Sequence, residues 1–576
     1  MPSKTEFAYN AMISGYLQNG LMDEAKRVFD KMPVKNIVSW NVILSGYLQN
    51  GLLDEAKRVF DEMPVKNVVS WTTILSGYIQ NGLMDKAKRV FDEMPVKNVF
   101  SWTTILSGYV QNGLLDLAKR IFDEMPVKNI FSWNVILSGY MQNGLMDEAR
   151  RIFDEMPNRD SVSWATMIGG YGQNGDNKEA LRFFIEATRD WERLNTCAFA
   201  FVLSTCADIV AFELGKQIHG RVVKGGIEFK CNVGNALVSM YCSCGNIKEA
   251  YDVFKRIEDK DVISWNTIIN GYARHGYGQE ALQHFDSMKQ TSIQPDEITM
   301  VGVLTACSHT GLVDKGTHYF YSMSQDHGIE PDIKHYNCLI DLLGRAGRLD
   351  EAQNLVKSMP FEPNGVTWTC LLSASRIHES TELGEKAAKM LLSLEPWNTS
   401  LYVLLSNLYA ASGRWEDVKK MQLKMRGMGI TKTKGSSWVK VLNKVHTFCV
   451  GDFTHPDSKS ICAFLEELDL RMISISAHSW KSWIRGRKRT DMSPQQTFVL
   501  HDVEEEELLH TLKYHCERLV VAYGIMKIPS GRPVCVFKNL CGDRTLTKIA
   551  GRLIILRDVG RFHHFEGGVY NCGSYW

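Results

Sequence analysis

An α-solenoid of helical-hairpin repeats followed by a smaller α/β domain is the fold class the sequence predicts, and three observations predict it. Trp40, Trp71, Trp102, Trp133 and Trp164 recur at a fixed spacing of 31 residues, the mark of a stacked repeat. Within one unit, Trp71, Ile74, Leu75 and Tyr78 fall at i, i+3, i+4 and i+7, and Ala87, Val90, Phe91 and Met94 do the same, so each unit reads as two amphipathic helices. Beyond about Gly435 that helical period fades. Repeats are expected over residues 6–364, drifting helical hairpins over 365–434, and a mixed domain over 435–576.

Each element has a local cause. In "MPVKNVVSWTTILSGYIQNG", from Met63, the run Gln80 to Gly82 breaks the first helix. Met94 and Pro95 end the second, because proline restricts the residue before it and cannot continue a helix interior. A hairpin of this size cannot bury its apolar face alone, so neighbours must stack, and the long surface of such a stack suits an extended ligand. At 576 residues the chain is too long for one ordinary core, which agrees with an array.

Composition removes several classes of function. With 66 basic and 65 acidic side chains the formal charge is +1, so bulk charge names no partner and contacts with nucleic acid must be arranged locally. The 14 cysteines are scattered with no secretory signal, as in a reduced compartment. No apolar run approaches the ~20 residues a bilayer crossing needs. The first residues already belong to a repeat, so no signal or transit peptide is expected in this chain, as for a cytosolic protein or for a mature or truncated one.

The phrases "SWNVILSGYLQNGLLDEAKRVFDEMP", "DVISWNTIINGYARHGYGQEALQHFDSM" and "LIDLLGRAGRLDEAQNLVKSMP" resemble pentatricopeptide repeats of the plant organellar kind. Unit length then varies, with 35 residues over 161–195, 31 over 231–261 and 36 over 297–332, which is similar to the subclass that alternates long and short motifs and serves RNA editing in plants. The resemblance implies single-stranded RNA as partner, other editing factors as a second class of partner, a monomer, no membrane, and a mitochondrial or chloroplast location. It also implies that each repeat reads one base through the fifth residue of its first helix and the last residue of the motif.

Carried over residue by residue, Asn10 with Asn36 and Asn41 with Asn67 imply a pyrimidine, cytidine preferred, and Thr72 with Asn98 and Thr103 with Asn129 imply adenosine. Asn134 with Asp160, Asn235 with Asp261, and Asn266 with Asp296 imply uridine; Ala165 with Asn195 implies a purine; Asn337 with Asn364 implies cytidine. Ala200 with Lys230 and Val301 with Asp332 belong to long motifs that the family reads poorly. The implied site is 5′ C, C, A, A, U, A, any, U, U, any, C. Physically, Thr72 follows Trp71, so its side chain is expected about 100° from the packed stripe, toward the lining of the solenoid. Taken alone, an Asn or Thr there would equally serve as a helix cap.

The tail contains His515, Cys516, Glu517, then Cys541, Gly542, Asp543, and closes with "GRFHHFEGGVYNCGSYW". It resembles the terminal deaminase-like domain named for a final Asp-Tyr-Trp, although this chain ends Ser574, Tyr575, Trp576. The resemblance implies a zinc-dependent cytidine deaminase, converting C to U or, as in divergent members, U to C, with His515 and Cys541 as zinc ligands and Glu517 as general acid and base. His563, His564 and Cys572 are candidates for a second zinc, against the plainer reading of a packed aromatic and histidine cluster. Arg544 stands where the family has its second cysteine, leaving Cys516 and Cys535 as nearby substitutes or as buried small hydrophobes. A recognition factor with a catalytically degenerate tail, which recruits a partner or masks RNA, is therefore the alternative. Arg485, Arg487, Lys488 and Arg489, beside Trp480 and Trp483, suit RNA phosphates and base stacking or a solvated loop.

Overall fold

The computed structural model describes residues 6–188, 194–227, 230–378, 380–396, 398–427, 436–441, 444–449, 454–475, 515–529, 533–538, 553–557, 562–566 and 569–570. The chain divides into two compact units, Met1–Thr205 and Cys206–Trp576, and each is built of stacked helical hairpins.

The first unit pairs α1 (Glu6–Gln18) with α2 (Met22–Asp30), α3 (Ile37–Gln49) with α4 (Leu53–Glu62), α5 (Val68–Gln80) with α6 (Met84–Glu93), α7 (Val99–Gln111) with α8 (Leu115–Glu124), α9 (Ile130–Gln142) with α10 (Met146–Glu155), and α11 (Ser161–Gln173) with α12 (Asn177–Ala187). α13 (Thr196–Asp208) contains the boundary. One hairpin explains the rest. Leu83 N–H donates to the Tyr78 carbonyl and Gly82 N–H to that of Ile79, the bond pattern that closes a helix through a left-handed residue. Gly82 supplies that conformation with φ of +71°, which an L side chain resists.

The second helix of the hairpin ends on Met94, whose extended backbone is the one that Pro95 requires. Lys97 then folds back, donating to the carbonyls of Asp92 and Met94 at 3.2 Å each, with its ammonium 5.3 Å from the Phe91 ring centroid. A cation placed there meets both the unpaired carbonyls and the negative end of the helix dipole. Between hairpins, Phe60 meets Trp71 edge-on at 4.9 Å, and Phe29–Trp40, Phe91–Trp102, Phe122–Trp133 and Phe153–Trp164 repeat that contact within 0.1 Å. Gly77 lets α5 lie against α3, since a Cβ there would stand 2.5 Å from the Leu48 side chain.

The second unit continues with α14 (Phe212–Lys224), α15 (Cys231–Ser243), α16 (Ile247–Arg256), α17 (Val262–Arg274), α18 (Gly278–Lys289), α19 (Glu297–Thr310), α20 (Val313–His327), α21 (Ile333–Arg345), α22 (Leu349–Ser358), α23 (Gly365–Ile377), α24 (Thr381–Leu394), α25 (Thr399–Ala411) and α26 (Trp415–Gly427). It ends in β1 (Ser436–Val441), β2 (Lys444–Cys449), α27 (Ser458–Ile475), α28 (Cys516–Lys527), β3 (Val534–Lys538), β4 (Ile554–Arg557), β5 (Phe562–Glu566) and β6 (Val569–Tyr570).

The strands form one sheet in the order β2-β1-β3-β4-β5-β6, antiparallel except for the parallel β3–β4 pair. Val439, Val534, Val536 and Ile554 of the sheet share a buried cluster with Leu519 and Val520 of α28. Gly524 permits the approach of helix to strand, because a Cβ there would lie 2.4 Å from a Val534 methyl. Among the described residues no helix is long and apolar enough to cross a membrane.

Candidate functional site

The last residue of a motif starts the next helix. Asn36, Asn67, Asn98, Asn129, Asp160, Asp261, Asp296 and Asn364 each accept a backbone N–H from the third residue of the following helix, at 2.8 to 3.0 Å. Asn195 does likewise, accepting from Ala198 N–H at 2.9 Å. The cap role suggested for the fifth residue thus belongs to its partner.

Four of the fifth residues come to these caps across one repeat. Asn134 donates from Nδ2 to Asp160 at 3.1 Å, Asn235 to Asp261 at 3.1 Å, Asn266 to Asp296 at 2.9 Å, and Asn337 to Asn364 at 3.5 Å. Asn36 donates to Glu6 instead, and Asn195 to Ser161. The Oδ1 atoms of Asn10, Asn41, Asn134 and Asn235 are buried and accept no hydrogen bond within the protein, an arrangement that costs about 1 to 3 kcal/mol per group unless something else donates. Asn266 and Asn337 differ, accepting from Thr299 and Thr367 hydroxyls at 2.5 and 2.7 Å.

Thr72 and Thr103 bond within their own helices. Both are 5% exposed, and each turns its hydroxyl back on its own helix, Thr72 donating to the Val68 carbonyl at 2.9 Å and Thr103 to that of Phe100 at 2.9 Å. A β-branched residue can satisfy its hydroxyl on the preceding turn, and here that outweighs solvent. Ala165 is buried too.

A second row was not read from the sequence. The residue three before most fifth residues is a large apolar side chain left open: Phe7, Val38, Val69, Phe100, Phe131 and Val162 in the first unit, and Ile263 and Ile298 in the second, are 46% to 82% exposed, whereas Asn232 and Lys334 stand there before Asn235 and Asn337. Apolar groups repeated in the open beside unsatisfied amides suit flat, polar-edged rings.

Electrostatics add a pH signature. Partial burial pushes the Asp261 carboxyl up, but hydrogen bonds from the Ser264 amide and hydroxyl and from Asn235 outweigh it and hold the group below its ordinary value of 3.8. Asp160 is held down in the same way by Ser163, Asn134 and Val162. Because the folded value is the lower one, this stability is complete above the ordinary carboxylate range and is lost as pH falls through the folded value. The thermal midpoint should therefore drop between about pH 5 and pH 2, and Asp160→Asn with Asp261→Asn, which keeps both caps, should flatten that drop in a calorimetric series.

In the tail, His515 precedes α28 and Glu517 lies in its first turn, 6% exposed. Cys516 turns into the apolar cluster, accepting from the Ser437 hydroxyl at 3.4 Å, and burial pushes its thiol up. Burial also pushes Cys535 up to about 12. Both sit in surroundings that favour the thiol in the metal-free protein. His563 and His564 are consecutive on β5 opposite Leu556 and Ile555, so they face opposite sides of the sheet and do not converge on one ion. Cys541, Cys572 and the basic stretch 485–489 lie outside the described residues. Among the described residues no three His, Cys, Asp or Glu side chains group as a metal site.

Models of the pentatricopeptide repeat match residues 7–37, 38–68, 66–99, 100–130, 131–161, 162–190, 235–262, 260–309 and 327–360. The chain belongs to the pentatricopeptide repeat family. The E motif of such proteins matches 378–440, and the DYW family of nucleic acid deaminases matches 491–576. A mitochondrial pentatricopeptide repeat-containing protein of Arabidopsis thaliana is 41% identical over 65% of this chain and 58% of its own length. A chloroplastic one from the same plant is 40% identical over 66% and 45%. The chain spans about half the length of such curated relatives. The crystal structure of the pentatricopeptide repeat protein PPR10 from maize aligns with a TM-score of 0.45 and 19% identity over 74% of each chain.

Deaminases of the DYW family are zinc-dependent, and this pentatricopeptide repeat protein offers a poor donor set for that metal. Arg544 stands in the sequence where the family has one cysteine, which leaves His515 and Cys541 as the two ligands the resemblance implies. Catalytic zinc keeps three protein ligands and an open position, so the residues present do not fit it.

Proposed function

We propose that this chain binds single-stranded RNA in a sequence-specific manner, one nucleotide per repeat, in organellar RNA editing. The observation that carries the reading is the recurrent site made by a fifth residue, the cap that starts the next helix and an exposed apolar side chain, with buried amide oxygens at Asn10, Asn41, Asn134 and Asn235 lacking a protein donor. A base supplies the missing donor on its edge and a flat face for the apolar neighbours. The mitochondrial and chloroplastic names of relatives support the location.

The test is a titration of the purified chain with the RNA 5′-CCAAUANUUNC-3′ and with versions exchanged at the two cytidines or at the uridines. Exchange should weaken binding about tenfold per position. Equal affinity for all versions would end the reading.

Arg544 favours a second reading of the tail, in which it holds no catalytic zinc and a partner supplies the chemistry. Metal analysis by atomic emission should then give a zinc content unchanged by His515→Ala. Zinc lost in His515→Ala but kept in Glu517→Ala, with base conversion abolished in the latter, would restore the enzyme.

A further inference from the structure

Within the second unit the C-terminal sheet meets the hairpins at the turn ends of α15 and α17. Phe562 stacks on His275, their rings 4.2 Å apart and 11° from parallel. His275 spends its Nε2–H on the Cys242 carbonyl at 2.8 Å, so its Nδ1 accepts from His564 Nε2 at 2.8 Å. Arg557, at the end of β4, donates to the Ser243 carbonyl at 3.1 Å and lies 5.2 Å from the Phe562 ring centroid.

These contacts leave a cavity of about 270 Å³ whose lining combines the two parts of the unit. From the hairpins come the reading pair Asn266 and Asp296, and Ile263 and Ile298, the open apolar side chains of successive repeats. From the sheet come Arg557 and Phe562. The volume is near the lower end of small-ligand pockets and suits a single nucleotide. The sheet walls this space and leaves it open, so it adds to the site rather than plugging it.

We propose that Arg557 completes the nucleotide site of this repeat, its guanidinium pairing with an RNA phosphate while the base lies between Ile263 and Ile298 against Asn266. The inference rests on the array binding RNA. Asp296 is already engaged by the Thr299 amide at 2.8 Å and by Asn266, so the site needs a cation to hold a phosphate. A guanidinium fork matches phosphate oxygens in shape as well as charge. The tail and the array would then grip one RNA segment together, fixing the tail's distance from the bases read.

The full chain is titrated with 5′-CCAAUANUUNC-3′, in which nucleotide nine faces Asn266. Arg557→Gln should weaken binding about tenfold and lower the salt slope by about one, and Arg557→Lys should restore most of both. RNA with neutral methylphosphonate linkages flanking nucleotide nine should bind wild type and Arg557→Gln equally. Unchanged binding by Arg557→Gln overturns the proposal, as does tighter binding, which would make the sheet a competitor of RNA. If Arg557→Gln fails to fold, the wild type decides: neutral linkages must cost more at nucleotide nine than at nucleotide five, and equal losses overturn it. Preference for uridine at nucleotide nine is read from wild-type titrations with RNA exchanged at that base. If it persists while Arg557 proves silent, only this inference fails; if it is absent, the reading of the array fails first.

Discussion

Replacing Thr72 and Thr103 together by Asn will move the preferred third and fourth nucleotides from adenosine to cytidine. Repeats two and three share their caps, Asn67 and Asn98, and the tryptophan contact before the fifth residue at 4.9 Å, so the fifth residue is the principal variable. A threonine hydroxyl already bound to its own helix offers a base little more than lone pairs. The Asn41 amide, by contrast, presents an Oδ1 that accepts nothing within the protein. At roughly 1 to 3 kcal/mol per base, two positions amount to a hundredfold or more in relative affinity. Titration of both proteins with RNAs carrying AA or CC at those places measures it, and an unshifted ratio would reject the recognition model.

Phe91→Ala should remove about 3 to 5 kcal/mol from one part of the array and little elsewhere. Phe91 is 2% exposed, meets Trp102 edge-on, and carries Lys97 over its face, so truncation leaves a cavity and strips a cation–π contact together. Stacked repeats touch their sequence neighbours, so the loss stays local. Hydrogen exchange should accelerate over 68–125 well before 6–49. Val96→Ala, 65% exposed, should change stability by no more than about 0.5 kcal/mol and serves as the comparison. Uniform acceleration along the chain would show that the array unfolds as one block.

The hairpins were legible because three local signals coincide in the five 31-residue units: an apolar stripe at helical spacing, a glycine where the chain must turn left-handed, and a proline where the second helix stops. The reading pairs were legible through family resemblance, and the structure brings four of them within hydrogen-bond reach. What escaped is instructive. Val38, Val69 and Phe100 look like core residues in a helix already rich in apolar groups, and only the packing shows that they face outward. Lys97 reads as a loop charge until the carbonyls behind it are seen. The bond of the Thr72 hydroxyl to its own helix depends on competition between that helix and solvent, which spacing does not encode. His563 and His564 looked like a ligand pair; strand alternation separates them once β5 is assigned. Sheet order joins β1 to β3 across about a hundred residues, beyond the reach of periodicity.

The Asn or Asp cap that opens the first helix of a hairpin belongs, by its side chain, to the repeat before it. A letter of the array is therefore written across the glycine turn: Thr72 lies ahead of Gly82 and Asn98 behind it. A duplication jointed between Asn98 and Val99 copies a whole letter, while one jointed at Gly82 fuses the halves of two. Both products keep the fold, because Asn and Asp cap equally well. Recombination among near-identical units can thus lengthen the address or coin new letters, according only to where the joint falls.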